Sequence, residues 1–149
     1  MRKLFIVAFL VFTVQFTYAQ FKITSPVKWS YAAKKEKSGE ATVYLKATIA
    51  EGWHIYAQNG VAKALITSFN FSNGNGYVLV GKTIEPKPLV KFEKVLKANV
   101  SYFEHTVVFQ QKIKMKSAKV SVAGKLEFTV CNAKECRPAE EVQFNIPVS

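Results

Sequence analysis

The two cysteines of this chain are the residues whose type and spacing point most directly to chemistry. Cys131 and Cys136 are separated by four residues in the run FTVCNAKECRPAEE, which follows a strand-like segment. Phe128 and Val130 share one parity of that strand, so Cys131 is predicted on the opposite face, away from the main core. The polar turn between the cysteines can bring the two sulfurs together, and Pro138 would end strand pairing just beyond them.

A disulfide between these cysteines has two interpretations. It can be a stabilising bridge, which is the common role of two cysteines in an exported domain. A bridge across so short a loop contributes only about 2 kcal/mol in the chain-entropy model, and it is open to attack by a thiolate. Lys134 and Arg137 would favour a reactive thiolate, whereas Glu135 would oppose it. From the residues alone, both the staple and the exchanging pair stay open.

Other catalytic chemistry has little support in the sequence. The strong soft metal ligands are Cys131, Cys136, His54 and His105, and no second cysteine pair or zinc-type histidine spacing accompanies them. A Cu(I) site that also uses Met115 is the remaining metal alternative. The chain has no Asp, and no catalytic triad, carboxylate pair or phosphate loop is apparent. We therefore predict neither a metal nor a cofactor.

The N-terminus has the pattern of a secretory signal peptide. Arg2 and Lys3 precede an apolar run, and small residues stand before an expected cleavage after Ala19. The run is too short for a membrane span, so the mature chain, residues 20–149, is predicted to be one exported domain without a span. Cleavage lowers the formal net charge from +11 to +9. Export argues against nucleic acid as a partner, and the lysines are interpreted as a solvated basic surface.

The rest of the chain alternates apolar and polar residues with the period of β-strands. The patterns predict eight or nine short strands, no convincing helix and therefore an antiparallel β-sandwich. The predicted strands cover residues 23–29, 41–49, 53–58, 67–71, 77–80, 105–116, 119–122, 125–130 and 142–148. Lys82–Val100 has two prolines and no sustained alternation, so it is predicted to be a long irregular loop, with a short helix considered at Lys91–Leu96.

Several segments together resemble a known family. They are GWHIYAQ at 52–58, TSFNF at 67–71, LVGKTIEP at 79–86 and FTVCNAKECRPAE near the end. In this order they resemble the N-terminal periplasmic domain of the transmembrane thiol:disulfide reductase DsbD, as a free-standing protein. The resemblance covers nearly the whole predicted mature chain.

This resemblance implies an immunoglobulin-like sandwich that passes electrons in the periplasm and acts as a thiol-disulfide oxidoreductase. Cys136 would form mixed disulfides with partners, and Cys131 would resolve them. The partners implied are a DsbD-like membrane reductase and thioredoxin-like periplasmic proteins, including isomerases and cytochrome c maturation proteins. An aromatic cap should cover the disulfide, for which Phe92 is the candidate, and Arg137 and Pro138 are expected to contact partners.

A second function hypothesis stands beside this one. The chain could be a non-catalytic exported β-sandwich that binds a protein or a glycan, with the disulfide as a staple only. The two hypotheses differ in whether the cysteine pair exchanges with other thiols.

Overall fold

A computed structural model describes residues 24–36, 39–60 and 62–149. In this part of the chain the regular elements are all strands, which confirms the predicted all-β class. Their bounds are β1 Val27–Lys35, β2 Glu40–Ile49, β3 His54–Tyr56, β4 Ser68–Phe71, β5 Tyr77–Ile84, β6 Leu89–Glu93, β7 Ala98–Phe103, β8 Thr106–Met115, β9 Val120–Phe128, β10 Val130–Cys131 and β11 Glu140–Val148.

The strands form three sheets in which every named pair is antiparallel. The first has the order β1-β2-β8-β5, the second β10-β3-β7-β6 and the third β11-β9-β4. The second sheet carries Cys131 on β10, and we call it the cysteine sheet. The architecture is an immunoglobulin-like antiparallel sandwich, as predicted.

The main core lies between these sheets and is rich in aromatic side chains. Trp29 of β1 packs against Phe69, Phe109 and Phe128, with ring centroids 5.6 to 6.3 Å apart. Phe109 is fully buried and Phe128 is 1% exposed. Because these rings come from β1, β4, β8 and β9, their burial joins the first sheet to the third.

The cysteine sheet has two chemically different faces. Across its strands, Val130 pairs with Ile55, and Ile55 pairs with Phe103. Directly opposed residues share a face, so these three side chains form one face, and they belong to the main core. The other face, which we call the cysteine face, carries a separate buried cluster. Its members are Tyr56, Val100 and Cys131, with Leu65 and Tyr102 packed against them.

The prediction of an irregular segment at Lys82–Val100 was wrong. It contains the end of β5, all of β6 and the start of β7, and the short helix considered there is a strand followed by a turn at residues 94–97. The two prolines lie in the connection between β5 and β6. Both strands are at sheet edges, where exposed apolar side chains obscure the alternation of buried and exposed positions.

Other strand boundaries also differ from the predictions, most clearly in β1 and β9. β1 runs on to Lys35, well beyond the predicted end at Trp29. The segments predicted on either side of Gly124 are one strand, β9. A side chain at position 124 would place its Cβ 2.5 Å from the carbonyl oxygen of Asn70 on β4. Glycine therefore permits the close approach of two strands here, and it does not mark a turn.

The predicted signal peptide, residues 1–19, lies outside the described residues. Within the described ranges, no helix has the length and apolarity needed to cross a membrane.

Candidate functional site

Cys131 and Cys136 form a disulfide at the base of a four-residue hairpin loop. Their Cα atoms are 4.0 Å apart, and the two residues pair as an isolated antiparallel bridge. The amide of Arg137 donates to the carbonyl of Val130 at 2.9 Å, and the amide of Asn132 donates to the carbonyl of Glu135 at 2.8 Å. Backbone hydrogen bonds on both sides therefore hold the two cysteines next to each other.

Asn132 shapes the loop between the cysteines. Its side-chain oxygen accepts the backbone amides of Lys134 and Glu135, both at 2.8 Å. An Asn side chain that bonds to amides two and three residues further on mimics a backbone turn. The Asn132 side chain therefore stabilises the closed form of the four-residue loop.

The two cysteines differ in their exposure to solvent. Cys131 is 1% exposed and belongs to the buried cluster of the cysteine face. Cys136 is exposed, as are its neighbours from Ala133 to Glu135. Exchange begins with attack on an accessible sulfur, so this asymmetry offers Cys136 to an incoming thiolate.

A cavity of about 310 Å³ opens beside the disulfide. Both cysteines and the loop between them form one side, and the cysteine face and the turn after β6 form the others. The lining residues from outside the cysteine loop are His54, Tyr56, Leu65, Lys91, Glu93, Val95 and Leu96.

His54 is the buried polar residue at the base of this cavity. It is the cross-strand partner of Cys131 and is 5% exposed. Its ring packs edge-on against Tyr56 and Tyr102, with centroids 5.4 and 5.3 Å away. Its Nε2 lies 3.3 Å from Nζ of Lys91. An ammonium group can only donate, so Nε2 accepts and a neutral imidazole carries its proton on Nδ1.

The environment of His54 keeps the imidazole neutral. Burial lowers its pKa from the ordinary value of 6.5, and the positive charge of Lys91 lowers it further, against smaller opposing effects of Glu104 and Glu93. Burial, with a further contribution from Glu93, raises the pKa of Tyr56 on the same face.

The depressed pKa of His54 predicts a pH dependence of stability. As the pH falls below about 6.5, the unfolded chain takes up a proton at His54 before the folded protein does, so the free energy of unfolding should decrease. Above that pH the contribution is fully present. Denaturant unfolding between pH 8 and 5, about the range in which His titrates, measures this. The His54→Phe protein should lose less stability over the range; equal losses would contradict the prediction.

Arg137 and Pro138, the predicted partner contacts, lie outside the cavity lining. The guanidinium group of Arg137 lies 4.9 Å from the ring centroid of Trp53, and its Nη1 donates to the carbonyl of Thr24 at 3.1 Å. These contacts hold the arginine side chain against Trp53 and the segment before β1. Pro138 follows it and is exposed.

Phe92, the predicted cap, is on the other side of the cysteine sheet. It pairs with Asn99, whereas Lys91 pairs with Val100 of the cysteine face. Alternation along β6 therefore directs Lys91 towards the cavity and Phe92 away from it. Phe92 is 63% exposed. The apolar side chains that do line the cavity rim are Val95 and Leu96, which are 87% and 38% exposed.

The Cu(I) alternative would require several metal-ligating side chains to lie close together. Among the residues described, no three His, Cys or acidic side chains come together as a metal site.

The sequence analysis did not assign to this site the cavity residues that lie outside the cysteine loop. His54 and Tyr56 stand on either side of Ile55, a core residue, so the two-residue period of a strand was the available signal that they share a face. The pairing of β3 with β10 is a long-range feature that no local pattern shows. Lys91 and Glu93 were overlooked because their edge strand was interpreted as a loop.

Comparisons with known proteins identify a matching family and similar folds. The family "Thiol:disulfide interchange protein DsbD, N-terminal" matches residues 21–147. The N-terminal periplasmic domain of ScsB from Proteus mirabilis is similar in structure, with a TM-score of 0.59 and 16% identity over 84% of this chain. This chain spans 47% of that structure's length.

The reduced form of the DsbD N-terminal domain from Neisseria meningitidis is also similar. Its TM-score is 0.51, and its sequence is 15% identical over 70% of this chain and 74% of that one. At these identities the structural likeness concerns the fold alone. A comparison with curated protein sequences gave no match. The family match spans residues 21–147, and the sandwich fold agrees with it: the chain belongs to the family of DsbD N-terminal domains.

Proposed function

We propose that this protein is a periplasmic thiol:disulfide interchange domain that carries electrons on the Cys131–Cys136 pair. A DsbD-like membrane reductase supplies the electrons, and thioredoxin-like periplasmic proteins receive them. Cys136 forms the mixed disulfide with each partner, and Cys131 resolves it. The protein reaches the periplasm through the signal peptide cleaved after Ala19.

The observation that carries this proposal is the unequal exposure of a closely held disulfide. Cys136 is exposed on a small loop beside a cavity, whereas Cys131 is 1% exposed beneath it. A bridge across so short a loop removes little chain entropy from the unfolded state, so it contributes little as a staple. A structural bridge also has no need of an exposed cysteine. A partner thiolate must reach one sulfur of the disulfide to begin exchange.

The cap function is assigned to the turn at residues 94–97 in preference to Phe92. The turn brings Val95 and Leu96 to the rim of the cysteine cavity, and Lys97 closes it with a φ of 51°. Its apolar side chains are exposed here, so they can fold over the disulfide or move aside for a partner. Phe92 would have to cross to the other face of β6 for the same purpose.

The surroundings of the disulfide also suit a protein partner. Leu89 on the cysteine face of β6, and Val95 and Leu96 in the turn that follows, are exposed apolar side chains. Such a patch beside a presented sulfur can dock an apolar surface of a thioredoxin-like protein. Pro138 lies after Cys136 and is exposed, so it remains a proposed partner contact.

The redox equilibrium of the pair tests this function. Incubation of the protein in glutathione buffers, followed by acid quenching and mass spectrometry, gives the fraction oxidised. We expect a reduction potential in the range of exchanging proteins, about −180 to −270 mV. A potential below about −300 mV would assign the bridge to the structural class and favour the exported binding module. The chain has no other cysteine, so the Cys131→Ser and Cys136→Ser proteins show how much glutathione adduct each remaining cysteine forms.

A further inference from the structure

Opening the disulfide creates a charge that the fold must accommodate. This inference rests on the proposed function. When a donor thiolate attacks Sγ of Cys136, a donor–Cys136 disulfide forms and the Cys131–Cys136 bond breaks. The bonding electron pair remains on Sγ of Cys131, which becomes a thiolate. The donor's second thiolate then attacks the donor sulfur of the mixed disulfide and releases Cys136 as a thiolate. The donor ends as a disulfide and the domain as a dithiol, with the donor's two protons transferred through solvent.

The burial of Cys131 makes this thiolate costly unless a cation is near. Cys131 is 1% exposed, and a buried charge without a partner is strongly unfavourable. The two cations among the cavity's lining residues are Lys91 and Lys134. Lys134 is exposed in the cysteine loop, where water screens its charge. Arg137 is directed to Trp53 and Thr24 and does not line the cavity.

Lys91, by contrast, is fixed over the cysteine face. Its Nζ is 3.3 Å from Nε2 of His54, 4.8 Å from the ring centroid of Tyr102 and 3.9 Å from a carboxylate oxygen of Glu93. His54 is itself the cross-strand neighbour of Cys131. His54, the Tyr102 ring and the Glu93 carboxylate thus hold the Lys91 ammonium group next to the residue that pairs with Cys131.

We propose that Lys91 is the cation that stabilises the Cys131 thiolate when the disulfide opens, and that His54 is the positioning residue that holds Lys91 in place. The neutral imidazole serves this purpose because it accepts a hydrogen bond without adding a competing positive charge. Other charged groups modulate the effect. Glu93 and Glu104 act on His54 from β6 and from the end of β7, and Glu135 lies in the cysteine loop. These carboxylates reduce the effect of Lys91 on the sulfur.

The test is a thiolate titration of Cys131 in the Cys136→Ser protein. Ultraviolet absorbance reports the thiolate without requiring access to the sulfur, and the protein lacking both cysteines provides the baseline for tyrosine ionisation. In Lys91→Met we expect the midpoint of thiolate formation to rise by about one pH unit, which is the low end of the effect of a nearby opposite charge. The thiolate fraction near neutral pH then falls about tenfold.

Three variants separate a charge effect from a structural one. Lys46→Met removes the same charge from an exposed position of β2 in the first sheet and should leave the midpoint unchanged. His54→Phe preserves an aromatic ring against Tyr56 and Tyr102 but removes the acceptor, so it should raise the midpoint by part of the Lys91→Met shift. His54→Gln retains an acceptor, so its midpoint should lie between those of His54→Phe and the parent protein. Adding His54→Phe to Lys91→Met should have little further effect.

The titration is independent of any redox partner. Equal midpoints in Lys91→Met, Lys46→Met and the parent protein, with unchanged circular dichroism, would overturn the charge assignment even if exchange with partners is observed. An additive His54→Phe effect in the Lys91→Met background would overturn the positioning role. A shifted midpoint in Lys91→Met supports the inference, and it does so even if the glutathione equilibrium contradicts the proposed function.

Discussion

In single-cysteine variants, Cys136 is expected to react with a bulky maleimide at least about a hundredfold faster than Cys131. Cys131 is 1% exposed on the cysteine face, whereas Cys136 is exposed on its loop. Modification of the buried sulfur requires local opening, and an opening free energy of about 3 kcal/mol accounts for a factor of this size. A gel-shift time course with polyethylene glycol maleimide measures both rates, using Cys131→Ser and Cys136→Ser proteins.

Maleimide reaction rates measured in denaturant show whether burial accounts for the difference between the two cysteines. In denaturant the two variants should react at rates within a few-fold of each other, because both sulfurs are then accessible. Equal rates in the native proteins would contradict the assignment of Cys136 as the sulfur that meets partners. A faster Cys131 would reverse the proposed roles.

The second large effect is expected at the turn after β6. Replacing Val95 and Leu96 with serine removes the apolar side chains from the rim of the cysteine cavity. If these side chains contribute about 1 kcal/mol to a closed arrangement over the disulfide, its reduction by dithiothreitol should accelerate about fivefold. Quenched samples analysed by mass spectrometry give the rate.

Phe92→Ser is the matched control for this prediction. It removes an exposed apolar side chain from the same hairpin, but on the face of β6 that points away from the cavity. The reduction rate should remain that of the parent protein. Acceleration in Phe92→Ser with none in the turn variant would identify Phe92 as the cap, as the family resemblance first suggested.

The sequence was most informative where local alternation coincides with burial. In β11, Phe144, Ile146 and Val148 are buried with exposed residues between them, so a half-buried strand was predictable. Strand parity also placed Cys131 away from the main core, and the structure puts it in the separate cluster of the cysteine face. The alternation did not show that this second position is itself buried.

The remainder of the site depends on contacts between distant segments. His54 becomes a neighbour of Cys131 only through the pairing of β3 with β10, and Lys91 reaches His54 only through the pairing of β6 with β7. β6 is an edge strand whose five residues are mostly exposed, so its composition resembles that of a loop. Register and edge position follow from the whole sandwich, and local patterns do not encode them.

The most direct measurement of the central claim is the trapping of mixed disulfides in a periplasmic extract. In the Cys131→Ser protein, Cys136 can form a disulfide with a partner but the resolving thiol is absent, so adducts should accumulate. The Cys136→Ser protein, which retains only the buried sulfur, is the control and should trap little. Adducts that disappear on reduction and contain thioredoxin-like proteins are the predicted result. No adducts with Cys131→Ser, or equal trapping by both variants, would contradict the account.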